Sequence, residues 1–581
     1  MASKLKYNED AAALTWEILN GEKDIGEWEL LYKDELIKGK GFKEFISAAT
    51  QLSANVNVIY VRYLNYFITV SQNFIDYTNK QFFANSSMNF YYIFCADNVE
   101  LRNWDNFWDK IQDKMIFMER LEICRNVFTG ENKNKLSLST HFRYTLSRQM
   151  WEDMKYRYYL RTPEVRGYCK QMLPKDRDEF DYMNFIYKGS FFYSNPEYYR
   201  KNTVKVNYYD ISSSHIGFMA RKNYPYESFQ EETETEKIQK IISDKFYCWY
   251  GMFYFERLQY KKEFPLDLKK FGVPVENEMC SWFIYLTNVD IEWFKQVFEW
   301  KNCAAVKFYY TRQKPLGKID KNFVSMVDSL YRIKDAQKKG TFAKEIHKFR
   351  AELPFGQSIK NEDYYGKIIY NDNEFEYVDT DGTDFEQIKY KLSERGMPMC
   401  VGVWTAAYSR LEFFTMVNKI GLDKVIYGDT DSVFFIDNEG IEIVKEHNKE
   451  IDKEFEAIEK IKKVNFSKKM GRWQDQGRLD CMKPIATKWY LMLHSDREFE
   501  VKASGVDTEK LLAYLKSQNT PFAAFDLNKI KVDGLRREYR QDYSNKIITC
   551  KICKKIDRNF KKELFEQTTS LFYFNPYEEE D

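Results

Sequence analysis

Lys424-Val425-Ile426-Tyr427-Gly428-Asp429-Thr430-Asp431-Ser432-Val433-Phe434-Phe435-Ile436 decides how the rest of this chain reads. Two runs of β-branched and aromatic residues flank a short polar centre, the pattern of a β-hairpin with its turn at the acidic residues. Side chains alternate faces along a strand, so Asp429 and Asp431, two apart, leave the same side in extended geometry. Two carboxylates held that close repel unless cations neutralise them, and hard cations with oxygen ligands, Mg²⁺ above all, suit such a pair. An Asp-Thr-Asp tip is also ordinary as a solvated turn. Against that reading stand the apolar runs on both sides, which bury the hairpin and leave only its acidic end exposed.

Working outward, Val204-Lys205-Val206-Asn207-Tyr208-Tyr209-Asp210 reads as a strand ending in a third carboxylate, followed by Ile211-Ser212-Ser213-Ser214-His215. A strand-terminal Asp capping a helix is the common alternative. Residues 320–360 read as largely helical, with Lys344 and Lys348 on one face at i, i+4. Gly41 to Ala54 reads as an amphipathic helix, and Val56 to Val61 as a strand. Glu439 to Lys469 reads as a charged helix.

Composition bounds the possibilities. A chain of 581 residues is too long for one core, so several domains are expected. A formal net charge of +1 does not advertise a nucleic-acid binder, so any such surface must be local. Candidates are the Arg-, Lys- and Tyr-rich segment Ser137 to Arg166 and the basic residues Arg536, Arg537, Arg540, Lys554 and Lys555. No run of 18 apolar residues occurs and the first residues do not lead into a signal peptide, so no membrane partner is expected. The ten cysteines are scattered, as for reduced thiols in a cytosol, and Cys550-x-x-Cys553 is a lone pair without partners.

Tyr427-Gly428-Asp429-Thr430-Asp431-Ser432 resembles the third palm motif of family B DNA polymerases, Tyr-x-Asp-Thr-Asp-Ser. Four further stretches resemble that family's motifs in the family's order. Tyr187-Lys188-Gly189-Ser190 is similar to the template-contacting Tyr-x-Gly-Gly/Ala, and Asp210 to His215 to Asp-x-x-Ser-Leu-Tyr-Pro. Lys348 to Gly356 is similar to Lys-x-x-x-Asn-Ser-x-Tyr-Gly, and Lys488-Trp489-Tyr490 to the primer-gripping Lys-x-Tyr. The type most resembled is the protein-primed polymerase of small tailed bacteriophages. It implies an α/β (α+β) multidomain fold: a right-hand polymerase of palm, fingers and thumb, with an N-terminal RNase H-like exonuclease-type domain and two insertions. The implied partition is 1–185 exonuclease-like, 186–221 palm, 222–323 first insertion, 324–360 fingers, 361–397 second insertion, 398–500 palm and 501–581 thumb.

The resemblance also implies roles. Asp210, Asp429 and Asp431 would be catalytic and would hold two Mg²⁺ ions, for which Mn²⁺ may substitute. Lys344, Lys348, Phe355, Gly356, His215 and Ser213 would bind the nucleotide. Tyr187, Gly189, Lys488, Tyr490 and, by looser analogy, Arg410 would meet DNA. Partners would be template-primer DNA, dNTPs and a terminal priming protein, in the cytoplasm of a bacterial host. Leu286 to Phe294 resembles the insertion that contacts the terminal protein and DNA. Four departures are expected to matter: His215 replaces the family's tyrosine under the sugar, Phe355 its pocket tyrosine, and Glu352 and Leu353 its asparagine and serine. In the exonuclease motifs only Glu17 survives, with Thr15, Tyr63 and Phe67 at the other positions, so the nuclease is expected to be dead. The competing reading is a non-catalytic, polymerase-derived nucleic-acid-binding protein.

Overall fold

The computed structural model describes 10–16, 26–33, 35–52, 56–61, 82–83, 92–95 and 99–103, with isolated positions from 115 to 154. It then describes 163–526 except for 261–279, 320, 361–365, 372–373, 380–383, 463–465, 468, 487 and 505–507. Glu17, Tyr63 and Phe67 lie outside these residues, as do Arg536, Arg537, Arg540, Lys554, Lys555 and the Cys550–Cys553 pair. So does most of 137–166.

The central sheet is built from the hairpin outward. Val425–Asp429 and Ser432–Phe435 form its two strands, and Thr203–Ile211 pairs antiparallel with the second. The complete order is Phe499–Ala503, Trp489–His494, Trp473–Ala486, Thr203–Ile211, Ser432–Phe435, Val425–Asp429, Phe192–Ser194. Tyr427, Val433, Phe434 and Phe435 are fully buried, so the apolar runs that define the hairpin do place it inside. The strand Phe499–Ala503 edges this sheet, and the expected boundary at 500/501 therefore falls inside one of its strands.

Behind the sheet runs Met399–Ile420, a 22-residue helix that is apolar almost all round and accordingly buried. Two helices, Lys321–Ala336 and Phe342–Ser358, form an antiparallel pair capped at the second by Thr341, whose side chain accepts from the Lys344 N–H. Cys280–Thr287, Tyr247–Tyr260, Asn302–Pro315 and Asn223–Pro225 lie in that order in a second sheet of six strands. Gly366–Asn371 and Glu374–Asp379 form a separate hairpin within the expected second insertion. A third sheet belongs to the N-terminal part, ordered Glu35–Lys40, Glu27–Tyr32, Asp10–Trp16, Val56–Val61, Val99–Asn103, Tyr92–Cys95, Phe82–Phe83. Its first three strands are antiparallel, and Val56–Val61 runs parallel to Asp10–Trp16 and to Val99–Asn103, the mixed order of an RNase H-like sheet.

One expected contact is corrected by the packing. Arg410 does not reach a DNA surface: its side chain is fully buried and forked onto Asp290, at 2.9 Å from Nε to Oδ1 and 3.0 Å from Nη2 to Oδ2. Its remaining nitrogen donates to the carbonyls of Lys188 and Gly189. Asp290, 1% exposed, also accepts from Thr287 Oγ1 and Trp293 Nε1. The 286–294 stretch is thereby tied into the core instead of lying free.

Removing one member of a buried pair strands the other as an uncompensated charge. Arg410→Ala is expected to lower unfolding free energy by about 3–5 kcal/mol. Urea unfolding checks this, and the double variant with Asp290→Ala should cost less than the two singles added.

Candidate active site

Strand register assembles the site. Asp210 lies opposite Ser432, and Ser432 lies opposite Asp429, so the two aspartates flank one serine on a single face, about 10 Å apart across the sheet. Asp431 joins them through a tight turn. Thr430 has φ +60, and the Asp431 N–H donates to the Asp429 carbonyl at 2.6 Å, the bond of a γ-turn. A left-handed φ is strained for a β-branched residue. Three bonds hold it: Thr430 N–H to Phe191 O at 3.0 Å, Ile211 N–H to Asp431 O at 2.8 Å, and Thr430 Oγ1 to Asp429 Oδ1 at 2.8 Å. The last two connect the turn to the Asp210 strand and to the Asp429 carboxylate itself.

The electrostatics match the geometry. Burial, opposed by the Lys348 and Lys334 charges, pushes the Asp210 carboxyl up to about 6. Asp431 is held well above the usual carboxylate range by burial and then by Asp210, Asp429 and Glu352. Glu352 is raised as well, by burial against the pull of Lys348 and Lys334. Among the described residues no three His, Cys, Asp or Glu side chains close into a cage for a metal. Mg²⁺ bound through one or two carboxylates, with water and substrate phosphates completing the shell, needs no such cage. Asp210, Asp429 and Asp431 fit that role, since they offer hard oxygen donors whose mutual repulsion a divalent cation would relieve.

The helical pair supplies the opposing charge. Lys348 is exposed, whereas Lys334, on the preceding helix, is 8% exposed and donates to Ser213 Oγ at 2.6 Å. Burial brings the Lys334 amine down to about 8, with Lys348 adding to the effect. Sequence reading missed Lys334, because no spacing marks it; only the antiparallel packing of the two helices brings it across from Lys348. Lys344 shares the Lys348 face as expected, but its ammonium donates to the Gln337 carbonyl at 3.2 Å. Ser213 sits at φ +52 as the N-cap of Ser214–Arg221, and its hydroxyl oxygen accepts from Lys334 instead of capping the helix. Ser212 Oγ and Tyr331 OH, 3.0 Å apart, add a second link between this loop and the helical pair.

His215 and Phe355 meet face to face, with ring centroids 3.9 Å apart and planes 10° from parallel. Glu352 and Gly356 lie on the same helix as Phe355, and a Cβ on Gly356 would meet nothing within 4 Å. Gly189 is likewise open, beside a half-buried Tyr187. Lys488 is exposed at the turn between two strands of the central sheet, at φ +56, and its backbone N–H donates to Tyr427 OH at 2.8 Å. Tyr490, by contrast, is 7% exposed and packed on Tyr427 and Phe434, so it supports the hairpin from below instead of presenting a free ring. Lys502 lies opposite Tyr490, close enough for its charge to act on Asp210, and was also missed in the sequence.

An antiparallel sheet carrying paired aspartates, faced by a helical pair with lysines and preceded by an RNase H-like sheet, is the architecture of a right-hand DNA polymerase with an exonuclease-type domain. Solved structures agree on the fold. Phi29 DNA polymerase complexed with primer-template DNA matches with a TM-score of 0.58 and 14% identity, over 89% of this chain and 95% of that one. Phi29 DNA polymerase complexed with single-stranded DNA matches with a TM-score of 0.59 and 13% identity. In sequence, the DNA polymerases of Bacillus phage B103 and Bacillus phage Nf are each 24% identical over 336 residues, 55% of this chain. The matched region spans about half the length of these curated relatives, 50% of each. No family model matches the chain. Among the described residues no helix is long and apolar enough to cross a membrane.

A carboxyl whose pKa is higher in the fold than in the unfolded chain contributes stability that is full below its ordinary value and lost as pH rises through the folded value. For Asp210 that window runs from 3.8 to about 6. Asp210→Asn should therefore match the parent at low pH and exceed its stability by about 1–3 kcal/mol at pH 7.5 in EDTA. Mg²⁺ or Mn²⁺ should narrow that gap by stabilising only the parent, as thermal melting at both pH values will read.

Proposed function

We propose that this chain is a DNA-directed DNA polymerase, adding dNTPs to a primer 3′-hydroxyl under template direction, in the manner of protein-primed phage replication. The observation that carries the proposal is the row Asp210–Ser432–Asp429, closed by Asp431 and faced by Lys348 and Lys334. Phosphoryl transfer asks a protein mainly for positioning and charge stabilisation, and this arrangement supplies both. The carboxylates would hold divalent cations, which supply activation of the 3′-hydroxyl and neutralisation of the leaving pyrophosphate. Lys348 and Lys334 take the triphosphate charge. Ser213 keeps the Lys334 amine beside the Asp210 loop. The γ-turn fixes Asp431 against Asp429, so that both carboxylates face the α-phosphorus without rearrangement.

Around this centre the chain's other parts take their proposed places. Lys488 on its exposed turn and the open backbone at Gly189 lie toward primer and template. The six-stranded sheet, with Leu286 to Phe294 anchored beneath it, forms the first insertion and the contact for a priming protein. Residues 324–360 act as fingers, 361–397 as the second insertion, and the residues after the last strand of the palm, Phe499–Ala503, as the thumb. The N-terminal part is retained as a fold without nuclease activity. Its setting is the cytoplasm of an infected bacterial host.

Primer extension on a DNA hairpin with Mg²⁺ tests the assignment. Asp429→Ala should abolish extension while the circular dichroism spectrum is kept, and Lys348→Ala should lower kcat/KM for dNTP roughly ten- to a few hundred-fold. Undiminished extension by the folded Asp429→Ala protein would overturn the role given to the carboxylates, and no extension by the parent would return the reading to a nucleic-acid-binding protein without catalysis.

A second assay concerns proofreading. A labelled, mismatched 3′ end incubated with Mg²⁺ or Mn²⁺ and no dNTPs should stay full length, since Glu17 is the only carboxylate at the matched nuclease positions and a two-metal site needs several. Stepwise shortening would refute this.

A further inference from the structure

We propose that Trp293 and Asp290, on the helix Asp290–Val297 of the first insertion, are positioning residues for the Asp429–Asp431 turn and act on it through the segment Lys188–Phe191. This role rests on the polymerase reading above and adds to it what sets the geometry of the carboxylates.

The turn depends on a carbonyl outside it. Thr430 is held at positive φ, and its N–H donates to Phe191 O at 3.0 Å. Phe192, the next residue, lies opposite Asp429 in the sheet, with Tyr193 opposite Gly428. A residue in a strained region persists when its surroundings over-determine it. The position of the Phe191 carbonyl therefore bears directly on the angle between the two carboxylates that Thr430 separates.

Phe191 is placed by the insertion and by the buried helix Met399–Ile420 together. Its ring, 2% exposed, meets the Trp293 indole edge to face, with centroids 4.9 Å apart and planes 89° apart. The indole N–H donates to Asp290 Oδ1 at 3.1 Å, and Asp290 fixes the Arg410 guanidinium with both its oxygens. Arg410 in turn donates to the carbonyls of Lys188 and Gly189, three and two residues before Phe191. Ser190 Oγ, the next along, is 3.3 Å from Ser409 Oγ. Trp293 thus holds the ring of Phe191 directly and, through Asp290 and Arg410, the backbone that leads into it. All three side chains are buried, so they act on the turn by packing and not by touching substrate. A close-packed interior passes strain from one member to the next. A misplacement of about 1 Å at a reacting centre costs roughly a hundredfold in rate, even when its cause lies far from the chemistry.

The test compares Trp293→Phe and Asp290→Asn with Trp249→Phe. Trp249 is buried in the insertion's own sheet, and its ring neighbours are Phe253 and Phe308. It reports what a lost indole in the insertion does away from Phe191. Hydrogen exchange of the Thr430 amide, read without metal, DNA or turnover, should quicken at least about tenfold in Trp293→Phe and Asp290→Asn relative to Trp249→Phe. Primer extension by these two variants should show kcat lowered about tenfold to a hundredfold. KM for dNTP and the dissociation constant for primer-template should stay within about twofold of the parent, a split that general loss of stability does not produce. If Asp290→Asn does not fold, as read by thermal melting, Trp293→Phe carries the comparison. Equal Thr430 exchange in Trp293→Phe and Trp249→Phe overturns the inference, as does an unchanged kcat in folded Trp293→Phe. No extension by the parent overturns the polymerase reading, while the exchange measurement still decides whether the insertion holds the turn.

Discussion

Two neighbouring side chains on one buried helix fix where the catalytic strands lie. Glu412 Oε1 accepts from Trp473 Nε1 at 2.9 Å and is 2.7 Å from His447 Nε2, while Arg221 reaches Oε2 at 3.4 Å. Trp473 opens the strand that runs beside Asp210, paired with Ile211. Phe413, the next residue, packs so closely under Gly428 that a Cβ there would stand 2.7 Å from its ring. The residue after Gly428 is Asp429. The helix Met399–Ile420 thus keys one aspartate strand through a carboxylate and the other through a ring. Burial alone would raise the Glu412 carboxyl, but the His447 bond and the Arg221 charge hold it well below the usual range. A buried charge so compensated is costly to disturb, which makes the support under the site rigid.

Above that support the charges are arranged in the opposite sense. Asp210 and Asp431 are pushed toward protonation by burial, and Asp431 by its carboxylate neighbours as well, and the turn between Asp429 and Asp431 keeps a β-branched residue at positive φ. Packing below and hydrogen bonds from Phe191 and Ile211 offset this cost. A protein that stores repulsion on one face and compensates charge fully on the other has somewhere specific for cations to act. The same contrast explains why Arg410 belongs to the support and not to the DNA surface: its guanidinium is spent on Asp290 and two carbonyls.

What the sequence revealed followed from local pattern. The hairpin at 425–435, the strand to Asp210 and the helices over 321–358 were legible because alternation and helical period are short-range signals. The carboxylate set was legible because two of its members are two residues apart. Lys334 and Lys502 were not, because each reaches Asp210 only through the packing of elements distant in sequence. The Arg410–Asp290 fork joins residues 120 apart, and nothing in either neighbourhood marks it. Ser213 at positive φ and Tyr490, the tyrosine of Lys-x-Tyr, turned inward, are likewise products of tertiary context. The expected palm–thumb boundary at 500/501 cuts the edge strand Phe499–Ala503, because a five-residue strand carries too little pattern to show which sheet it joins.

The departures from the family pattern are not scattered. His215 and Phe355 touch each other, and Glu352 lies one helical turn before Phe355 and one after Lys348. Substituting one wall of a pocket alone would leave a gap or an unpaired charge. Here the imidazole is covered by the phenyl ring, and the Glu352 charge meets two lysines, Lys334 and Lys348. The carboxylate row on the facing sheet keeps its three members. The carboxylates and the lysines and rings that face them are therefore built on separate elements, the sheet and the helical pair, joined at Ser212 and Ser213. That separation lets the recognition wall change composition without moving the carboxylates, because the bonds that place Asp429 and Asp431 come from Phe191, Ile211 and the helix beneath, none of which belongs to the wall.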